Sequence, residues 1–276
     1  MRKVTVHVVI PDTQSKPGVP TDHLRWIGQY IVDNFKDTDV KIIHLGDHAD
    51  MPSLSMYDKG KRAMEGRRYV EDIDAANEAW RVLNQPFVDF NKNRAKTKHG
   101  QWNPERHILL GNHEYRIVRA TELDAQMDGI LSLDHLDYER SGWKVSPFLS
   151  INWLDGVGYS HYFTNSMGRP IGGNIETRLR TIGHSFTQGH QQTLAYGLRF
   201  VAGKSQHGLV CGSAYLHEED YLGPQMAYWR GIIVKHEVEA GSYDPMFVSL
   251  DFLCRRYEGA DLAHFMRKKY PNIRPW

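Results

Sequence analysis

Three short apolar runs, each ended by a proline or a glycine, constrain the fold of this chain more than any other feature. They span residues 4–10, 40–45 and 107–110. Their β-branched residues and abrupt ends predict buried strands. Between and after them, apolar residues recur at helical spacing over 21–35, 69–94 and 114–123, with Pro86 as a predicted kink. This alternation of strands and helices predicts an α/β fold with crossover connections.

The second half of the chain contains shorter strand-like segments. Residues 143–163 hold several of them, and 174–182 predicts a helix. Residues 193–216 and 231–254 again predict strands, some of them antiparallel. No internal repeat, low-complexity linker or clear boundary divides the sequence. We therefore expect one domain over residues 1–276, built from two sheet-forming halves.

Charge and cysteine content limit the partners and the compartment. The 34 Lys and Arg residues nearly balance 33 Asp and Glu, so no global field attracts nucleic acid or an anionic membrane. Cys211 and Cys254 are too few for a disulfide framework, which predicts buried thiols in a reducing cytoplasm. No run approaches the ~20 apolar residues of a membrane span, and 4–10 is too short for a signal core. We expect a soluble, cytoplasmic protein.

Metal-capable polar side chains follow the predicted strands in five clusters. These are Asp12 and Gln14 in "PDTQ", Asp47 and Asp50 in "GDHAD", Asn112 and His113 in "GNHE", His161 in "GYSHYF", and His190 and Gln192 in "QGHQQ". Loops at the carboxyl ends of strands in an α/β sheet converge on one crevice. Taken alone, Asp12 suits a turn, and Asp47 or Asn112 a helix cap. Caps do not account for the histidines, so the whole set predicts a metal site.

In order, spacing and flanking glycines, the clusters resemble the calcineurin-like metallophosphoesterase superfamily. That family shows D-x-H, G-D-x-x-D, G-N-H-E/D, a lone His and G-H-x-H, and the match runs from residue 12 to 192. The start "PDTQ" is closer to phage-encoded members, which would place the protein in a host cytoplasm. The resemblance implies a four-layer α/β/β/α fold with two central mixed sheets. It also implies a phosphoesterase with two divalent metal ions.

Carried over by position, the resemblance implies two metal sites that share Asp47. One would use Asp12, Gln14, Asp47 and Gln192, and the other Asp47, Asn112, His161 and His190. The two cations would share a hydroxide that is nucleophilic near neutral pH. His113 would stabilise or protonate the leaving oxygen, and Asp50 would orient its imidazole.

This chain departs from the family pattern in two ways. Gln14 and Gln192 replace histidines, and both fall in the same implied site. An amide oxygen is a weaker zinc ligand than imidazole, so this site favours Mn²⁺ or Mg²⁺, whereas the other suits Mn²⁺, Fe or Zn²⁺. We expect Mn²⁺. Asp50 is followed by Met51-Pro52 and not by the Arg-Gly usual in protein phosphatases, which favours phosphodiester, nucleotide-type substrates.

The sequence leaves further alternatives open. Arg67 and Arg68, in a basic run between two motif-bearing strands, and His48 are candidate substrate contacts at the rim of the crevice. A phosphomonoesterase or a nuclease of the same superfamily is an alternative. Extended nucleic-acid binding is not indicated, because it would require a long basic face and the charge of this sequence is balanced. From another class, a degenerate member could bind a nucleotide or a protein without turnover, because the two glutamines weaken one metal site.

Overall fold

A computed structural model of the chain describes residues 5–219 and 228–273. The strands in these ranges are β1 Thr5–Ile10, β2 Asp39–His44, β3 Glu105–Leu109, β4 Lys144–Ser146, β5 Asn152–Leu154, β6 Val157–Ser160, β7 Phe186–Gln188, β8 Leu194–Val201, β9 Lys204–Cys211, β10 Gly231–Glu239 and β11 Ser242–Ser249. The α-helices are α1 Asp22–Phe35, α2 Tyr69–Lys96, α3 Tyr115–Leu123, α4 Ile175–Ile182, α5 Leu250–Glu258 and α6 Leu262–Lys269.

The strands form two mixed sheets. The first has the order β11-β10-β1-β2-β3-β4, in which β1 to β4 are parallel and β10 and β11 are antiparallel to their neighbours. The second has the order β5-β6-β7-β9-β8, with parallel pairing at its centre and antiparallel edge strands. Because β1, β2 and β3 are parallel neighbours, the loops that follow them emerge at one end of the sheet.

Three apolar cores separate four layers. Along β1, Val8 faces the helices whereas Val9 faces the second sheet, as the alternation of a strand requires. The first core lies between α1, α2, α5, α6 and the outer face of the first sheet. The second lies between the sheets, and the third packs Leu179 of α4 against Phe186 of β7. The predicted α/β/β/α fold is therefore confirmed.

Most predicted elements agree with the structure to within one or two residues, and two predictions were wrong. The segment predicted as strand over 231–254 ends at Ser249, and α5 begins at Leu250. The Ser249 hydroxyl accepts the backbone N–H of Phe252, which is an N-cap that turns the apolar run into a helix. The strand prediction over 193–216 also ran too far, because β9 ends at Cys211. Val4, predicted to start β1, lies outside the described residues.

The two cysteines and the helices bear on the expected burial of the thiols and on membrane segments. Cys211 and Cys254 are buried free thiols, as expected. Among the helices of residues 5–219 and 228–273, none has the length and apolar character needed to cross a membrane.

Lys235 of β10 is a fully buried lysine between the two sheets. Its Nζ donates to the hydroxyls of Thr187 and Tyr159 and lies 4.3 Å from the ring centroid of Tyr243. Burial lowers the pKa of Lys235 from 10.5 to about 7. Between those two pH values the unfolded chain binds more protons at this lysine than the folded chain does. Its contribution to stability therefore rises with pH through that window.

Candidate metal centre

The loops after β1 and β2 are joined by backbone hydrogen bonds at the carboxyl end of the first sheet. The carbonyl of Asp47 accepts the N–H groups of Thr13, at 3.2 Å, and Gln14, at 2.8 Å. The N–H of Asp50 donates to the carbonyl of Ser15 at 3.0 Å. The first two motif clusters are thus held side by side, as the parallel strand order predicts.

Left-handed backbone conformations recur in the loops that follow β1, β2 and β7. Five non-glycine residues of the site region have φ between 41° and 66°: Gln14, Asp47, Met51, His190 and Gln192. Each such residue costs about 1–3 kcal/mol and persists only where the surroundings fix it. Four of the five are predicted metal ligands, so the strain lies where side chains must be aimed at a common point.

The four ligands predicted for one metal site lie together. The Nε2 atom of His161 is 3.2 Å from Oδ2 of Asp47 and 3.0 Å from Oδ1 of Asn112. Ligand atoms of Asp47, His161 and His190 all lie within 4.8 Å of one another. The Nδ1–H of His161 donates to the carbonyl of Leu45 at 2.7 Å, which turns Nε2 toward the centre.

The protonation of the two imidazoles differs. Burial lowers the pKa of His161, but Asp47 and Asp12 outweigh it and raise the pKa to about 9. Burial and the neighbouring His161 lower the pKa of His190 to about 4. Near neutral pH, His190 therefore offers a lone pair at once, whereas His161 holds a proton that a bound metal would replace.

Asp12 lies behind this group and is fully buried. Its two carboxylate oxygens each lie 3.1 Å from the backbone nitrogen of His190, which donates to them. Burial raises the pKa of Asp12 to about 7, and the charge of Asp47 contributes to the increase. Two buried carboxylates that oppose each other's ionisation form a site suited to a cation.

The two glutamines have different surroundings. The Gln14 side chain is fully buried, and neither its amide oxygen nor its amide nitrogen has a hydrogen-bond partner. Burying an amide without hydrogen-bond partners lowers the free energy of unfolding, and a bound ligand could offset that loss. In contrast, Oε1 of Gln192 accepts the hydroxyl of Tyr215 and lies at a cavity that also reaches Asp47.

Two glycines leave room for the carboxylates. A Cβ atom at Gly111 would collide with Oδ1 of Asp47, and one at Gly189 would collide with Oδ1 of Asp12. The glycines in "GNHE" and "QGHQQ" are therefore required by close approach to the two acidic side chains.

The donor set fits a divalent cation. Burial raises the pKa of Asp47, but His113 and His161 outweigh it and hold the net pKa well below its usual range. The site thus combines an ionised carboxylate with imidazole and amide donors, a mixture that Mn²⁺, Fe and Zn²⁺ accept. A cation here would also compensate the charge of Asp12, whose carboxylate accepts the backbone N–H of His190.

His113 and Asp50 form the predicted pair beside this group. The Nδ1–H of His113 donates to Oδ1 of Asp50 at 2.6 Å, and Nε2 lies 3.7 Å from Oδ2 of Asp47. Burial lowers the pKa of His113, but Asp47 and Asp50 outweigh it, and the net pKa is above its ordinary value. Asp50 therefore orients the imidazole and favours its charged form.

Glu114, the last residue of "GNHE", was not among the predicted site residues. Its buried carboxylate accepts backbone N–H groups of Asp47, His48, Ala49 and Gly111 and the hydroxyl of Tyr138. Glu114 thus ties the loop after β2 to the loop after β3. Its position directly after His113 in the motif was the feature from which a role in the site could have been predicted.

Lys16 and Arg116 were also missed. The Nζ of Lys16 lies 3.0 Å from Oδ2 of Asp50 and 2.7 Å from Oε2 of Glu219. The Nη2 of Arg116 lies 3.3 Å from Nε2 of His113. Arg116 lies in the first turn of α3, and His113 lies three residues earlier in the turn that leads into the helix, where its carbonyl accepts the backbone N–H of Arg116.

An open cavity of about 830 Å³ lies over the centre. Asp47, His113 and His190 reach it, and the predicted substrate contact Arg67 lines its outer part. The Arg67 guanidinium donates to Oδ2 of Asp58 at 2.7 Å. Arg68 is exposed, donates to the carbonyl of Arg67 and lies outside the lining.

His48 does not reach the cavity, which corrects its prediction as a substrate contact. It is fully buried, with Nδ1 2.7 Å from the hydroxyl of Thr13 and Nε2 3.0 Å from the carbonyl of Ala76. Both ring nitrogens are therefore occupied inside the core that supports the loop.

Comparisons with known proteins yield little. No family model and no curated protein matches the chain. Among solved structures, a double mutant of Vps29 from Entamoeba histolytica matches with a TM-score of 0.33 and 10% identity, over 89% of this chain and 98% of that chain. A likeness this distant assigns neither a family nor an activity, so the functional case depends on the residues of the site.

Proposed function

We propose that the protein is a metal-dependent phosphoesterase. The observation that supports it is the cluster of Asp47, Asn112, His161 and His190 beside the His113–Asp50 pair. All of these residues except the fully buried His161 line one cavity. Metal ligands alone would suit storage or structure. The imidazole of His113 is oriented by Asp50, and its Nε2 lies 3.7 Å from Oδ2 of Asp47. This pair could transfer a proton to the leaving group, which metal ligands alone do not provide.

The geometry supports a part of the set of residues that would hold the metal. Asp47, His161 and His190 supply the strongest donors, and Asp12 adds a second carboxylate. Amide oxygens of Asn112, Gln14 and Gln192 complete the set that we propose for two ions, with Mn²⁺ as the preferred metal. Divalent cations supply Lewis acidity and activate water near neutral pH when bound.

The rest of the chemistry belongs to side chains. We assign His113 as the general acid that protonates the leaving oxygen from Nε2, while Asp50 holds Nδ1. Lys16 holds the other oxygen of Asp50 and keeps that carboxylate in place. The cavity extends past these groups to Tyr57 and is larger than a phosphate needs, which supports a nucleotide-type substrate.

A second candidate is a binder without turnover. It is supported by Tyr215, whose hydroxyl donates to the oxygen that Gln192 would offer a metal. Elemental analysis separates the two. One ion or fewer per chain in excess Mn²⁺, together with no hydrolysis, favours the binder.

The test of hydrolysis uses the purified protein with Mn²⁺ and two probes, an aryl phosphomonoester and an aryl phosphodiester. We expect Asp47→Asn to lower the rate at least about 100-fold. Asp89→Asn, at an exposed position on α2, serves as the matched control and should match the parent. If the parent hydrolyses neither probe and Asp47→Asn behaves identically, the proposal is wrong.

A further inference from the structure

A guanidinium group lies beside the candidate general acid although the sequence lacks arginine after Asp50. Arg116 comes from α3 and lines the same cavity as His113 and Asn112. Its Nη1 donates to the carbonyl of Asp50 at 2.8 Å and to that of Met51 at 3.3 Å. Met51 has a left-handed backbone with φ of 52°. The strained turn thus presents two carbonyls that aim the guanidinium at the site.

The charge of Arg116 is only partly compensated. Its nearest carboxylate oxygen, Oδ1 of Asp50, is 3.5 Å away and already accepts from His113 at 2.6 Å. The other oxygen of Asp50 pairs with Lys16 at 3.0 Å. The two carbonyls that hold Nη1 are neutral. The guanidinium of Arg116 therefore lines the cavity with Nη2 3.3 Å from Nε2 of His113, beside the place where a phosphoryl group would lie.

We propose that Arg116 binds the phosphoryl group of the substrate and makes the site selective for phosphomonoesters. This inference rests on the proposed phosphoesterase function. A monoester carries three terminal oxygens and nearly two negative charges at neutral pH, whereas a diester carries two terminal oxygens and one charge. Arginine binds phosphate through parallel N–H bonds to terminal oxygens. If metal cations take terminal oxygens, a monoester still has one for Arg116, and a diester does not.

The diester preference expected from the sequence had two grounds, the missing arginine after Asp50 and the nucleotide-rich setting of the phage-encoded members that the chain resembles. Arg116 reaches the carbonyl of that same Asp50 from 66 positions along the chain, so the first ground no longer holds. A purely structural role for Arg116, as a tie between α3 and the turn at Met51, makes a different prediction. Loss of such a tie would disturb His113 and Asp50 and slow both ester classes equally.

The experiment compares Arg116→Gln and Arg116→Lys with the parent protein in Mn²⁺. Arg119→Gln, on the same helix and outside the cavity lining, is the matched control. We expect the parent to prefer an aryl monoester over an aryl diester. Arg116→Gln should lose about 10- to 100-fold in kcat/KM for the monoester. Its loss for the diester should stay under about threefold, and Arg119→Gln should behave as the parent. Arg116→Lys keeps the positive charge but loses the parallel N–H donors of the guanidinium, so its kcat/KM for the monoester should lie between the values for the parent and Arg116→Gln.

Both substrates are assayed on one preparation, so a loss of folded protein scales both rates alike and leaves their ratio unchanged. Binding of inorganic phosphate, measured by calorimetry on the Mn²⁺-loaded protein, gives a readout independent of turnover. It should weaken in Arg116→Gln and not in Arg119→Gln. A parent that prefers the diester, equal losses on both esters, or unchanged phosphate binding would overturn the inference and leave the phosphoesterase proposal intact. A parent that hydrolyses neither ester would overturn both.

Discussion

Glu114 provides the sharpest test of how the site is supported. Its Oε1 accepts the N–H groups of His48, at 2.7 Å, and Ala49, at 2.9 Å, together with the Tyr138 hydroxyl at 3.1 Å. Its Oε2 accepts the N–H groups of Asp47 and Gly111, both at 2.9 Å. Glu114→Gln keeps the shape of the side chain and replaces one of these acceptors with an amide donor.

The size of the effect follows from that geometry. In either orientation of the amide, at least two buried donors lose their acceptor. Each lost bond to a charged group costs about 1.5–3 kcal/mol, which gives about 3–6 kcal/mol in total. Burial and the charge of Asp47 raise the pKa of Glu114, so removing the charge offsets part of this loss. We therefore expect a value near the lower end, about 3 kcal/mol, out of the ~5–15 kcal/mol typical of domains.

The assay is urea unfolding followed by the fluorescence of the buried residues Trp80 and Trp143. With an m-value of about 3 kcal/mol per molar, the midpoint should fall by about 1 M. Glu78→Gln, at an exposed ion pair with Arg81, is the matched control and should cost under about 0.5 kcal/mol. If Glu114→Gln unfolds within 0.5 kcal/mol of the parent, roughly the size of a surface substitution, then Glu114 does not tie the two loops together.

Two further predictions concern the glutamines and the buried lysine. Replacing both Gln14 and Gln192 by histidine should tighten the weaker metal site and shift its preference toward zinc, because imidazole is the better zinc ligand. Metal titrations that are unchanged in the double variant would remove both glutamines from the ligand set. For Lys235, whose folded pKa is about 7, the stability of the parent relative to Lys235→Met should rise between pH 7.5 and 8.5. The slope should approach 1.4 kcal/mol per pH unit, measured by urea unfolding. A difference that does not change with pH would show that the lysine stays charged when folded.

Local patterns were sufficient for much of the fold and for the composition of the site. The β-branched run of β1 and the periodicity of α1 are properties of short segments, so they could be predicted directly. Position at the ends of predicted strands also indicated that Asp47, Asn112, His161 and His190 meet, because parallel strands bring successive loops to one edge. Their assignment to one metal site came from the family resemblance. The error at α5 arose because "SLDFLC" is apolar enough for a strand, while one serine cap favours a helix.

The sequence by itself determined the alternation of strands and helices, the clusters at strand ends and the two glutamines that we propose lie in one altered metal site. Tertiary structure alone decided that Gln14 is buried without a partner, that His48 points into the core, and that Lys16 reaches Glu219 across 203 positions. It also placed Arg116 beside His113. The physical reason is that these contacts depend on how side chains from distant loops pack against one another, which a local sequence pattern does not specify.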